Sequence, residues 1–182
     1  MFFTRRGDEG YTDLLGGPRL AKEDLRIVAL GDVDEATSAI GLARASARGE
    51  DTRVALLLVQ KDLYLLMADL ATVSGKAADE PRLTQARIDE IEALMAEYEG
   101  RITIPREFVA PGDSYAGATL DVARTVVRRA ERTLTHLLHT GAGATLAMTA
   151  YLNRLSSLLF GLARYEDNLA GASPTISKQI GD

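Results

Sequence analysis

Ala123-Arg124-Thr125-Val126-Val127-Arg128-Arg129-Ala130-Glu131-Arg132 is the stretch that decides the fold. At about 100° per residue, Arg124, Arg128, Glu131 and Arg132 fall within about 100° of one another on a helix, and Leu120, Val127, Ala130 and Leu134 take the neighbouring face. A charged stripe beside an apolar one belongs to a long amphipathic helix. The period carries it from about Ser114 to Leu138, and Gly141 and Gly143 break it.

The same period recurs on both sides. A following helix is expected from about Ala144 to Leu169. One preceding helix begins near Thr84, with Ile88, Ile91, Leu94, Met95 and Tyr98 at helical spacing, and stops at Gly100. Another runs from about Asp51 to Val73 through Leu57, Leu58, Leu65 and Leu66. The earliest runs from about Asp32 to Arg48, where Asp32 and Glu35 resemble a capping box and Gly49 a stop. Gly75 to Pro81, Ile104-Pro105 and Pro111-Gly112-Asp113 mark connections. The expected fold class is all-α, a five-helix bundle in one domain over residues 1–182. Residues 1–31 form a glycine-rich N-terminal loop, 32–169 the bundle and 170–182 a mobile tail.

Composition agrees. The 182 residues are rich in Ala and Leu and poor in aromatic side chains, which suits packed helices better than a β-sandwich. A net charge of −5 excludes nucleic-acid binding by the protein's overall field, so an anion must find a local basic patch. With no cysteine there is no disulfide, thiolate metal site or cysteine nucleophile. No apolar run is long enough to span a membrane, and Met1-Phe2-Phe3-Thr4-Arg5-Arg6-Gly7 lacks the apolar core of a signal peptide. A cytoplasmic protein is expected.

Several features bear on chemistry, each with a plainer alternative. The arginine stripe is either a solvated face with local ion pairs or a polyanion site, for which the planar guanidinium fork is suited. The segment Thr4 to Asp13 is either a disordered leader or an anion-binding loop. In the second case Gly7 and Gly10 let backbone amides approach, Thr4, Thr12, Arg5 and Arg6 add donors, and Lys22 adds charge. Asp32 and Asp34, read as the first turn of a helix, would ordinarily offset its dipole. Asn153, inside a helix, needs a partner, whether a ligand or another helix. His136 and His139 at a helix end suit the dipole better than zinc, having no third ligand nearby. Met67, Met95 and Met148 read as core filling.

Taken together these pieces resemble the PduO-type ATP:cob(I)alamin adenosyltransferases. The resemblance is carried by Thr4-Arg5-Arg6-Gly7-Asp8-Glu9-Gly10-Tyr11-Thr12, by Gly31-Asp32-Val33-Asp34-Glu35-Ala36-Thr37-Ser38, by Phe108-Val109-Ala110-Pro111-Gly112-Asp113, by residues 123–132, and by Leu152-Asn153-Arg154-Leu155-Ser156. All five lie in the family's order and cover nearly the whole chain. The chain departs from the pattern at Arg6 (usually Thr), Leu30 (commonly Tyr), Ala36 and Thr37 (usually Leu and Asn) and Asp113 (usually Gly).

The resemblance implies a cobalamin adenosyltransferase-like bundle with an ordered N-terminal nucleotide-binding loop. It implies a homotrimer with ATP and cobalamin at the subunit interfaces. The reaction transfers the 5′-deoxyadenosyl group of ATP to Co(I) corrinoid and releases tripolyphosphate, with Mg2+ assisting. Arg128 is the expected catalytic arginine. Asp34 is expected to pair with Arg124 across the interface. Glu131 and Asn153 would contact the nucleotide, with Glu131 also at its metal. Thr4, Arg5, Gly7, Asp8, Gly10, Thr12 and Lys22 would cradle the triphosphate, and Phe108 would lie against the corrin. A reductase and an adenosylcobalamin-dependent acceptor enzyme are the implied partners. The alternative is a non-catalytic corrinoid or nucleotide carrier or regulator of the same descent.

Overall fold

A computed structural model describes residues 5–15, 17–72 and 81–178. Five helices dominate: α1 (Leu25–Ser46), α2 (Glu50–Ala71), α3 (Gln85–Glu99), α4 (Tyr115–His139) and α5 (Leu146–Leu169). Four short strands pair as two antiparallel ribbons. β1 (Tyr11–Thr12) pairs with β2 (Leu20–Ala21), and β3 (Phe108–Val109) pairs with β4 (Ile176–Lys178).

The helices pack in the neighbour order α2, α1, α4, α5, α3. The helix that carries the arginine stripe is therefore central, with α1 on one side and α5 on the other. The seams are apolar: Val33, Ala36 and Ile40 of α1, Leu120, Val127 and Leu134 of α4, and Leu152, Leu155 and Leu159 of α5 are fully buried. Among the described residues no helix is long and apolar enough to cross a membrane.

Helix α1 begins seven residues before the expected start. Asp24 is its N-cap and accepts from the Arg26 amide at 2.9 Å. Gly31, which stands just before the expected start, sits on an open face inside the helix. Asp32, Asp34 and Glu35 therefore lie in the helix body and neither cap it nor offset its dipole. Asp32 instead accepts the Thr133 hydroxyl at 2.5 Å, and Glu35 pairs with Arg129, so both tie α1 to α4. The other helix ends fall within two residues of expectation. Ser114 caps α4 by accepting from Gly117, and Thr145 caps α5 by accepting from Met148. The turn between α1 and α2 is held from outside, where the buried Glu166 carboxylate accepts the Arg48 and Gly49 amides at 2.8 and 3.0 Å.

The C-terminal segment is hydrogen-bonded to the Phe108 turn as far as residue 178. The Ala110 amide donates to the Thr175 carbonyl at 2.8 Å, and the Ser177 hydroxyl donates to the Phe108 carbonyl at 2.9 Å. Asp113 accepts both the amide and the hydroxyl of Thr175, at 3.1 and 2.6 Å. Those two bonds hold its carboxyl below the usual range. Asp113, at a position where the family usually has Gly, thus serves this ribbon.

Candidate functional site

Two hollows adjoin along the α4–α5 seam and share one side chain. The first, of about 300 Å³, is walled by Met95, Ile102, Ile104 and Phe160, with Arg124 and Arg128 at its α4 side. The second, of about 270 Å³, is lined by Arg128, Glu131, Arg132, Thr135 and Asn153. Arg128 belongs to both. The first hollow is open on one side and mixes aromatic and aliphatic groups with Glu99, Ser156 and Ser157; the second is lined mainly by charged and amide groups. That division suits a flat, largely apolar ligand beside a polyanionic one.

The helical period puts these groups on one wall, and local bonds fix them there. The Asn153 amide donates to the Glu131 carboxylate at 3.0 Å, which gives Asn153 the partner its helical position requires. Arg132 donates to the Arg128 carbonyl at 3.0 Å. The Arg124 Nε donates to Asp121 at 2.9 Å, one turn earlier on α4. Tyr98, on the wall of the apolar hollow, packs edge-on to Tyr165 with ring centres 5.1 Å apart. Burial, reinforced by nearby Asp51, pushes its phenol up to about 12, so it stays protonated and neutral.

The N-terminal loop is a compact turn. Arg5 and Gly10 have positive φ, of 61° and 83°. Asp8 and Gly10 donate to the carbonyls of Arg5 and Gly7, and the Lys22 amide returns to Gly10 at 2.8 Å. The Lys22 ammonium lies over Gly7, 3.2 Å from where a Cβ would stand, so a side chain at Gly7 would crowd it. Arg6 pairs with Asp13 at 3.3 Å, and Arg19 pairs with the same carboxylate. The loop docks on the end of α2 through the Leu15 amide and the Ala71 carbonyl. Thr4, expected in the cradle, lies outside the described residues.

One chain does not gather every expected residue. Arg124, Arg128, Glu131 and Asn153 share one wall. Thr12 and Asp34 line a separate hollow with Leu14, Leu15, Ile27, Leu30, Gly31 and Met67. Asp34 and Arg124 are not joined within the chain, since Arg124 holds Asp121 instead. Phe108 stands in β3 with 68% of its surface exposed. Thr37 bonds back to the Val33 carbonyl of its own helix at 3.0 Å. His136 and His139 fall in the last turn of α4, as the dipole favours.

Sequence reasoning passed over Asp121, Thr135, Tyr98 and Phe160. Asp121 had a signal: a carboxylate three residues before Arg124 on the same helix. Among the described residues no group of three or more His, Asp or Glu could hold a metal ion.

The chain matches the family model for cobalamin adenosyltransferase over residues 2–166. It is 42% identical to a cobalamin adenosyltransferase of Cupriavidus metallidurans over 176 residues, covering 95% of this chain and 91% of that protein. It is 41% identical to a corrinoid adenosyltransferase of Mycobacterium leprae over 169 residues, 89% of this chain and 88% of that one. Its fold superposes with a TM-score of 0.87 on a variant PduO-type ATP:corrinoid adenosyltransferase from Lactobacillus reuteri complexed with cobalamin and ATP. Identity there is 28%, with coverage of 98% of this chain and 100% of that one. The central position of the arginine helix, the paired hollows and these similarities agree: the chain belongs to the PduO-type ATP:corrinoid adenosyltransferase family.

Proposed function

We propose that Arg128 works at the boundary between a corrinoid in the apolar hollow and ATP in the polar one. The family's reaction is ATP:corrinoid adenosyl transfer, and this chain is an enzyme of that reaction. The single observation that carries the residue roles is Arg128 lining both hollows. In the reaction the Co(I) electron pair attacks the ribose C5′ of ATP. A cobalt–carbon bond forms, the C5′–O bond breaks, and its electron pair leaves with tripolyphosphate. Negative charge grows on the departing oxygen, where a preorganised guanidinium stabilises the transition state most. In-line geometry requires both reactants to be held close and collinear, which adjoining hollows favour.

Glu131 and Asn153, already joined, orient the nucleotide. Arg5, Gly7, Asp8, Gly10, Thr12 and Lys22 cradle the triphosphate, together with Thr4. A Mg2+ ion that arrives on the phosphates is commonly held by one or two carboxylates plus substrate oxygens. Glu131 would be such a carboxylate, and the ion would neutralise phosphate charge. Phe108 would close the lower face of the corrin and keep its axial ligand away.

The loop hollow and the arginine wall are separate in one chain, which supports an oligomer in which a neighbour's loop completes each site, and the family resemblance makes it a homotrimer. Asp34 of the partner subunit would then meet Arg124. The protein would act in the cytoplasm, beside a cobalamin reductase and an acceptor enzyme that uses adenosylcobalamin. Anaerobic incubation of chemically reduced cobalamin with ATP tests this reading, followed by absorbance of adenosylcobalamin and assay of tripolyphosphate. Stoichiometric formation of both is expected. Binding of both ligands without turnover would favour the carrier alternative.

A further inference from the structure

The α4–α5 seam holds a buried charged cluster. Asp121, Arg164 and Asp167 are each nearly fully buried, at 4%, 6% and 5% exposure. One Arg164 Nη donates to Asp121 at 2.7 Å and lies 3.0 Å from Asp167. Asp167 also accepts the Ser114 hydroxyl at 2.6 Å. The other Asp121 oxygen takes the Arg124 Nε at 2.9 Å. Two carboxylates thus face two guanidiniums, and the chain closes on an arginine at the wall of the apolar hollow. Well-packed apolar residues would generally stabilise such a seam as well or better, so the cluster calls for another reason.

We infer that Asp121 is a positioning residue for Arg124, held in place by Arg164. Both Asp121 oxygens are committed, one to each guanidinium, so the carboxylate cannot swing. By taking Nε it fixes the plane of the Arg124 fork and leaves the Nη edge without a partner among the described residues. Arg124 lines the hollow, on the wall that also carries Arg128. A long, rotamer-rich side chain is thereby ordered before any ligand arrives, so binding loses less freedom. Arg164 carries a second link to the same wall, since its guanidinium carbon lies 5.6 Å from the ring centre of Phe160, which also lines the hollow. The inference rests on reading that hollow as the corrinoid side of the reaction.

A double-mutant cycle tests it. Asp121→Asn keeps the shape and removes the charge. Its turnover with reduced cobalamin is expected to fall about tenfold, as loosened positioning does, with the KM for ATP within about twofold of wild type. In an Arg124→Gln background the same substitution should change turnover by less than about twofold. Equal losses in both backgrounds, or no loss from Asp121→Asn where Arg124→Gln is impaired, overturn the proposal. An Arg124→Gln enzyme with wild-type turnover would refute the role given to Arg124 itself. If Asp121→Asn does not fold, Arg124→Lys decides. A single ammonium drawn to Asp121 cannot also present a fixed edge to the hollow, so this variant should match Arg124→Gln. Wild-type turnover in Arg124→Lys would overturn the proposal.

Discussion

The Asn153 amide reaches across the α4–α5 seam to the Glu131 carboxylate, 3.0 Å away, and the pair forms the floor of the polar hollow. Asn153 is exposed, so its truncation costs the fold little. Asn153→Ala is expected to weaken ATP binding by roughly 1–2 kcal/mol through loss of an ordered polar contact. Corrinoid binding should not change. Calorimetric titration with each ligand separates the two effects.

Arg128→Ala should leave the melting temperature nearly unchanged, because the side chain is exposed. Turnover should fall by about two to three orders of magnitude, the usual cost of removing one donor aimed at developing charge. Single-turnover kinetics at saturating ATP and corrinoid would measure it. A folded variant with near-normal turnover removes Arg128 from the catalytic role.

Asp34→Ala should act through assembly. Asp34 is exposed in the single chain and sits in the loop hollow, so its loss has little reason to disturb the bundle. Light scattering is expected to show a weakened oligomer, and activity should recover partly at high protein concentration. Unchanged assembly and kinetics would contradict the pairing with Arg124 of the partner subunit.

Phe108→Ala tests the lower face of the corrin. With the ring already largely exposed, the substitution opens no core cavity. ATP affinity should hold, because the ring offers no phosphate donor. Turnover from Co(II) under reducing conditions should fall more than turnover from pre-reduced Co(I). With ATP and Co(II) cobalamin bound, paramagnetic resonance of the variant should show cobalt that keeps its lower axial ligand.

The ribbon beneath Phe108 should be sensitive to acid. Asp113 has its carboxyl lowered by its bonds to Thr175, so their contribution is intact above the ordinary carboxylate value of 3.8. It is lost as pH falls below that value through the folded-state pKa. Hydrogen exchange at the Thr175 amide should accelerate in that range. In Asp113→Asn the exchange should lose this pH step.

The arginine face was legible because a 3.6-residue period needs only the order of residues along one helix. The same logic placed four of the five helices to within two residues. Helix α1 was read short because Asp32 and Glu35 imitate a capping box, while the true cap, Asp24, stands among residues that read as part of the glycine-rich loop. The ribbons were not legible, since strands of two or three residues carry too little alternation. Nor was the Asp121–Arg164–Asp167 cluster: charges three residues apart on a helix usually mark a wet surface, and only the packing of α4 on α5 buries these. The separation of the loop from the arginine wall is a property of three-dimensional placement that no motif spacing expresses.

The β3–β4 ribbon also imposes an order of assembly. During synthesis the Phe108 turn emerges well before Ile176–Lys178, with α4 and α5 between them. The helical hairpin can form from local contacts as it is made, whereas the ribbon waits for distant residues. A chain cut short at residue 170 would still have all five helices, yet Phe108 and Ala110 would have no strand to bond. Premature termination near that point should therefore yield a protein that looks folded by helical content and lacks the β3–β4 ribbon that holds Phe108.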